Sequence, residues 1–262
     1  MSTALITGAS AGLGASFAQE LAKRQTDLVL VARSHDKLQQ LAQDLQATYG
    51  IQVEVIPQDL TEPDAASKVF ERINQKNITI DLLINNAGFG DYGVFSQSSR
   101  QKQLKMIQLN ILALVDLTHH FLPQMQQRGS GSIINVSSIS GFQPLPYLSI
   151  YSSTKAFIIS FSEALWAENQ HTGVKILAAC PGPTETSFFA AANFDQSAPE
   201  SLKQQKTDSP EVVVQEILKA LDTDDCTVVT GRWQNHLLVN LSRLLPKKTL
   251  VQIVEQQFRP QK

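Results

Sequence analysis

Ala4-Leu5-Ile6-Thr7-Gly8-Ala9-Ser10-Ala11-Gly12-Leu13-Gly14 is an apolar run that breaks into glycines and opens a helical pattern continued by Phe17 and Leu21. It reads as strand, tight turn, helix. Glycines in such a turn bring backbone N–H groups, together with the positive end of the helix, against a pyrophosphate. The spacing is Gly-x-x-x-Gly-x-Gly rather than the Gly-x-Gly-x-x-Gly of the dinucleotide fingerprint, so packing or turn chemistry would also explain it. Its place at the first strand-to-helix junction gives it meaning. Gly8, Ser10, Gly12, Leu13 and Gly14 are the candidate cradle.

Beyond this turn, short apolar runs alternate with helical patterns: Ala4–Ile6, Leu28–Ala32, Val53–Ile56, Leu82–Ile84, Ile133–Val136, Ile176–Ala179 and Thr227–Thr230. Buried parallel strands separated by helices read this way, which predicts a doubly wound, three-layer α/β/α sheet of Rossmann type. At 262 residues with 42% hydrophobic and 18% charged content, the chain suits a single domain over 1–262. A net charge of −2 argues against nucleic acid as a partner. Two cysteines, Cys180 and Cys226, make no disulfide framework, and Ala4–Ile6 is too short for a signal peptide. No apolar run is long enough to span a bilayer. The expected compartment is cytoplasmic.

The residues after the second strand choose the cofactor. An acid there would bond the ribose 2′-hydroxyl of NAD, whereas an arginine favours the 2′-phosphate of NADP. The strand ends in Arg33-Ser34, and the nearest acid, Asp36, falls in the first turn of the next helix behind Ser34 as N-cap. NADP(H) is therefore expected, with Arg33 on the phosphate and Ser34 and Ser10 assisting. After the third strand come Asp59 and Leu60; Asp59 either accepts from the adenine amine or caps the helix near Thr61-Glu62-Pro63. After the fourth, Asn85-Asn86-Ala87-Gly88 reaches the carboxyl edge of the sheet, where ligands sit.

The stretch Ser138 to Lys155 carries the chemistry. Tyr151 and Lys155 lie one helical turn apart on one face, and the ammonium is expected to lower the phenol pKa from about 10 towards neutrality, where a general acid or base works best. Ser138, after the fifth strand, is suited to bonding a carbonyl oxygen as it gains charge. A surface helix pair is the alternative.

Together Thr7-Gly8-x-x-x-Gly12-x-Gly14, Asn85-Asn86-Ala87-Gly88, Ser138, Tyr151-x-x-x-Lys155 and Pro181-Gly182-x-x-x-Thr186 resemble the short-chain dehydrogenase/reductase family in order and spacing across nearly the whole chain. The resemblance implies about seven parallel strands and NAD(P)-dependent hydride transfer. It implies Tyr151 as general acid in reduction and base in oxidation, Lys155 on the nicotinamide ribose, and Ser138 steadying the substrate oxygen. Asn110, which otherwise could be a polar residue bonded inside its helix, matches the family asparagine that anchors a water leading to Lys155. Asn86, Ala87 and Gly88 would line the adenosine side, and Pro181, Gly182, Thr184 and Thr186 the nicotinamide end. Family members commonly pair through the helices carrying Asn110 and Tyr151, so a homo-oligomer is expected.

No metal is called for: the five histidines show no ligand spacing, and Cys180 reads as a small buried apolar residue. In the family the pocket forms after the fourth strand, Ser138 and Pro181. Here that gives Phe89, Tyr92, Phe95, Phe142, Leu145, Tyr147, Phe188 and Phe189, a lining for an apolar carbonyl or alcohol. Residues 183–208 look like a substrate lid. The tail, 232–262, carries an apolar stripe from Trp233 to Leu245 and a second pattern through Leu250, Ile253, Val254 and Phe258. It could pack within the protein, which is the plainest reading, or cover the pocket, join an oligomer, or make peripheral contact with a membrane. A nucleotide-binding regulator without turnover is the rival function, discriminated by NADPH consumption.

Overall fold

The computed structural model describes residues 2–186, 188, 192, 194, 198–204 and 206–260. Seven strands make one sheet: β1 (Thr3–Thr7), β2 (Asp27–Ala32), β3 (Val53–Pro57), β4 (Leu82–Asn85), β5 (Gly131–Val136), β6 (Val174–Pro181) and β7 (Thr227–Thr230). Their order is β3-β2-β1-β4-β5-β6-β7, and every pair is parallel. β6 exceeds the apolar run Ile176–Ala179 at both ends, because Val174 and Lys175 still face Gly131 and Ser132 while Pro181 faces Thr230. Ladder pairing needs backbone groups, not apolar side chains.

Parallel neighbours require crossovers, and helices supply them. On one face lie α1 (Gly12–Lys23) and α2 (His35–Tyr49); on the other lie α3 (Ala65–Gln75), α5 (Ala113–Arg128) and α6 (Ser149–Glu168), with α4 (Arg100–Ile107) leading into α5. Alternate strand residues serve opposite faces. Ile6, Leu28 and Leu30 join Phe17 and Leu38, whereas Leu5, Val29 and Val31 join Val69 and Phe121. With both faces covered, the central strands show unbroken apolar runs. Phe17 and Phe121 are fully buried, and truncating either to alanine should cost about 3–5 kcal/mol.

Two departures from regularity matter for the site. The strand order reverses between β1 and β4, so the loops at their carboxyl ends diverge and leave a crevice. The rod from Arg100 to Arg128 reads as one helix in sequence but contains a π-helical turn at Gln108–Leu112, with Asn110 buried at its centre. Such widened turns arise where a side chain must be aimed away from the helical ladder.

Past β6 the chain forms a short helix α7 (Glu200–Lys203) and then α8 (Pro210–Ala220), which joins the α1 face. Ser209 Oγ accepts from Val212 N at 3.3 Å with Pro210 at the first position, a serine cap and a proline whose missing N–H costs nothing there. The tail is a pair of helices, α9 (Trp233–Leu244) and α10 (Lys247–Phe258).

Candidate active site

The glycine turn is fastened to the loop after β4. Thr7 Oγ1 accepts from Asn86 N at 2.9 Å and Ala87 N at 3.0 Å, and Asn86 Nδ2 donates to Thr7 O at 2.8 Å. Gly8 and Gly12 adopt left-handed φ values of 67° and 55°, which an L side chain rarely tolerates. A Cβ on Gly14 would fall 2.2 Å from the carbonyl oxygen of Gly8, so only glycine lets α1 start this close to the turn. The helix begins after Ala11, which offers no side-chain cap, and has no acid in its first turn. An anion fits an N-terminus of this kind, and a pyrophosphate supplies one. Thr186 closes the far side, with Cγ2 3.3 Å from where a Gly12 Cβ would sit.

Along the same crevice, Arg33 and Ser34 are exposed at the end of β2. Asp59 is drawn into a turn, accepting from Thr61 N at 2.9 Å and Thr61 Oγ1 at 2.8 Å. It therefore closes that turn instead of capping α3, whose N-cap is Asp64. Burial pushes its carboxyl upward, but the Thr61 hydrogen bonds and the Arg33 cation together hold it below the usual value. Leu60 is buried in the core beside α3. A purine phosphate with positive charge at Arg33 and an acceptor nearby matches the chemistry of this corner.

Asn110 uses its whole amide locally. Its Oδ1 accepts from Phe89 N at 3.1 Å, and its Nδ2 donates to Phe89 O at 3.0 Å and Thr154 Oγ1 at 3.1 Å. The π-turn thus pins the β4 loop against α6, and Gly88 passes so close that a Cβ there would meet Asn110 Oδ1 at 3.1 Å. Ser137, one residue before Ser138, turns away and donates to Lys155 O at 2.7 Å, fixing α6 at the turn that carries the lysine. Sequence spacing singles out neither Thr154 nor this use of Ser137, because Thr154 meets Asn110 from a different helix and Ser137 acts through a backbone carbonyl.

Ser138, Tyr151 and Lys155 converge at the carboxyl edge of β5. All three are buried. Ser138 Oγ lies 3.4 Å from Pro181 O and accepts from Ser140 N at 3.1 Å. Lys155 Nζ stands 5.7 Å from the centre of the Tyr151 ring and donates to Val136 O at 2.8 Å. The ionisation differs from the sequence expectation. Burial pushes the Tyr151 phenol up to about 12, with only hydrogen bonding to Ser138 pulling the other way, and it pushes Lys155 down to about 8. The cation faces the ring and a carbonyl, while the surrounding apolar cover removes the water that would stabilise a phenolate. Cys180 is likewise pushed up to about 12 by burial, so its thiol is inert.

That cover is a single apolar cluster of Tyr92, Met106, Leu145, Leu148, Tyr151, Phe194, Ala198, Leu250 and Val254, with Phe89, Tyr147, Phe188 and Phe258 against it. The Phe188 ring centre is 5.2 Å from that of Tyr151. Of the aromatic lining expected from sequence, Phe95 is instead 62% exposed, because its short 3-10 turn projects from the surface. Phe142 packs elsewhere, with Ile159, Ala178 and Cys180. Phe189 lies outside the described residues, as do residues 187, 190, 191, 193, 195–197 and 205 of the 183–208 segment. Thr184 Oγ1 donates to Gly182 O at 2.9 Å and Thr186 Oγ1 accepts from Phe188 N at 3.3 Å, so these threonines brace the strand end. The contribution of α10 to the cover comes from far along the chain, through Leu250, Val254 and Phe258 of the second tail pattern, for which covering the pocket is one of the readings the sequence allows.

Comparison with known proteins gives a consistent family. The short chain dehydrogenase family profile matches residues 2–197. The ketoacyl reductase HetN of Nostoc sp. is 33% identical over 243 residues, covering 93% of this chain and 82% of that protein. A very-long-chain 3-oxoacyl-CoA reductase of Anas platyrhynchos is 34% identical over 206 residues, which cover 76% of this chain but only 65% of the relative's length. Among solved structures, a short-chain dehydrogenase from Sphingobium yanoikuyae in complex with NADPH superposes with a TM-score of 0.83 at 32% identity, over 99% of this chain and 97% of that one. A bulky-bulky ketone specific alcohol dehydrogenase from Comamonas testosteroni gives 0.78 at 29%, over 93% and 92%. The chain belongs to the short-chain dehydrogenase/reductase family.

Proposed function

We propose that this protein is an NADP(H)-dependent oxidoreductase that interconverts an apolar ketone and its secondary alcohol, with Tyr151 as the proton donor and acceptor. The observation that carries the reading is the convergence of Ser138, Tyr151 and Lys155 beneath an aromatic cover, on the same sheet edge as the glycine turn. Gly8, Ser10, Gly12, Leu13 and Gly14 hold the pyrophosphate, and Arg33 with Ser34 hold the 2′-phosphate. Asp59, Leu60, Asn86, Ala87 and Gly88 border the adenosine. Lys155, Pro181, Gly182, Thr184 and Thr186 position the other half. When bound, NADPH supplies the hydride that the carbonyl carbon receives.

The chain's own residues handle the proton. A phenol held near 12 stays protonated at neutral pH, so the resting site is set to donate to an oxygen that has gained negative charge. Ser138 hydrogen-bonds that oxygen and Lys155 lends its positive charge from below the ring, which favours the anion at the moment it forms. Phe188 and the α10 residues keep water out. The same cover sets the substrate class: a bulky apolar ketone, in keeping with relatives named for 3-oxoacyl thioesters and bulky ketones.

Exposed Leu104, Leu112 and Phe157 sit on the helices that carry Asn110 and Tyr151, which supports pairing of two copies through that face. The half-exposed Cys226 and the buried Cys180 are both free thiols, which suits the cytoplasm. NADPH consumption with a panel of ketones and aldehydes, wild type against Tyr151→Phe, tests the reading. Tight NADPH binding without turnover on any of a broad panel would replace it with a regulatory one.

A further inference from the structure

The tail does not pack as its pattern suggests. Among the described side chains of α9 the buried ones are Asn235 and Val239, and Asn235 Nδ2 anchors the helix by donating to Thr230 O at 2.9 Å. The apolar stripe faces outward: Trp233 is 68% exposed, Leu237 46%, Leu241 46%, and Leu238 and Leu245 are exposed as well. At 3.6 residues per turn the four of these side chains within α9 sweep roughly 140° of the helix circumference. Packing within the protein, the plainest sequence reading, therefore fails for this stripe. The helix turns Asn235 and Val239 inward and leaves this apolar arc in water.

The charge around the stripe is one-sided. No acidic residue occurs between Asp225 and Glu255, although the whole chain carries 24 acids and a net charge of −2. Lys247 and Lys248 are exposed at the end of the stripe, and neither forms an ion pair among the described residues. Arg232, at its start, is engaged by Asp208 at 3.1 Å.

We propose that this face docks on an anionic phospholipid surface, with Trp233, Leu237 and Leu241 entering the headgroup boundary and Lys247 and Lys248 meeting lipid phosphates. Amphipathic helices that lie in the plane of a bilayer combine these same parts. A second copy of the chain fits less well, because an isologous contact would bring the unpaired Lys247 and Lys248 of both copies to the same seam with no acid from this stretch of tail to meet them. Through Leu245 and Pro246 the docked stripe leads directly into α10, whose Leu250 and Val254 belong to the apolar cluster that holds Tyr151. The cover of the candidate site would then lie beside the lipid. Among the described residues no helix is long and apolar enough to cross a membrane, so docking is peripheral.

Co-sedimentation of the purified full chain with vesicles decides it, using phosphatidylcholine alone and phosphatidylcholine mixed with phosphatidylglycerol. Binding to the mixed vesicles is expected, with roughly tenfold weaker binding to the neutral ones and a similar loss in high salt. Trp233→Ser/Leu237→Ser/Leu241→Ser and, separately, Lys247→Glu/Lys248→Glu should each weaken it by about tenfold or more. Both variants change exposed side chains, so an unchanged melting temperature and NADPH affinity would show that each is folded. Absence of vesicle binding, or binding that neither variant alters, overturns the proposal. So does a stripe variant that converts an oligomer into a smaller species, which would give the face to a second copy.

Discussion

The Tyr147 hydroxyl donates a 2.6 Å hydrogen bond to Glu255 Oε1 across 108 residues of chain. Tyr147 holds a left-handed φ of 66°, a conformation that costs a non-glycine residue about 1–3 kcal/mol and persists only where neighbours enforce it. Glu255 is drawn down to about 2 by Arg259 first and Tyr147 second. From another loop, Tyr92 Oη donates to the carbonyl of Phe258. Two tyrosines thus grip the last turn of α10 while Leu250 and Val254 bury beneath it. The Glu255 contact is open to solvent, so burial should dominate the closure. Leu250→Ala, which removes buried methyl groups, should destabilise the closed tail by about 2–3 kcal/mol and speed amide exchange across α10. Glu255→Gln should change exchange several-fold at most. Equal exchange in the two variants would show that the clasp, not the packing, holds the cover.

Tyr151→Phe removes one oxygen from a buried ring and leaves the apolar cover intact. If that oxygen carries the proton, kcat for ketone reduction should fall by about 10²–10⁴. The NADPH dissociation constant should stay within about twofold, since the phenol is not the charged partner of the phosphates. A loss confined to KM would reassign Tyr151 to substrate binding.

Lys155 makes a signed prediction for stability. Its ammonium is pushed from the ordinary 10.5 down to about 8 by burial, so between those values the unfolded chain binds more protons than the folded one. Stability from this group therefore rises with pH over that window, and below about 8 the folded state bears the full burial penalty, on the order of 3 kcal/mol. Tyr151, raised from 10 to about 12, acts in the opposite direction at still higher pH, but it is common to wild type and a lysine variant. Lys155→Met should be the more stable protein near pH 7, less the bond to Val136 O, with the gap closing as pH climbs past about 8. Urea unfolding of both proteins across that range checks it. Curves that stay parallel would place the lysine outside the titration.

Strands and the glycine turn are legible in the sequence because parallel strands buried on both faces must be apolar throughout, and because Gly8 and Gly12 hold left-handed backbone and Gly14 has no room for a Cβ. The pairing of Tyr151 with Lys155 follows from helical spacing alone. The direction of their ionisation does not, since the groups that exclude water, Phe188, Leu250 and Val254, come from segments far along the chain. Phe95 and Phe142 mislead for a related reason: an aromatic residue near a site in sequence can end its turn facing solvent or another cluster. The π-turn at Asn110 is silent in sequence because its periodicity differs from a helix by a single residue.

Arg33 decides between the two nicotinamide cofactors. It stands exposed at the end of β2, beside Ser34, and its charge reaches Asp59 just past the end of the neighbouring β3. A guanidinium in that place gains a charge-assisted, two-pronged contact with a 2′-phosphate and nothing comparable with a 2′-hydroxyl. Arg33→Ala should therefore weaken NADPH by about tenfold to a hundredfold, the range of a lost hydrogen bond to a charged group, while NADH changes by less than about twofold. The wild-type preference should also shrink as salt is raised, because an exposed pair is screened. Arg33→Asp should reverse the preference, since a carboxylate repels the phosphate and accepts from a ribose hydroxyl. Titrating both reduced cofactors by fluorescence measures all three, and equal losses for NADPH and NADH in Arg33→Ala would remove the phosphate from this corner of the crevice.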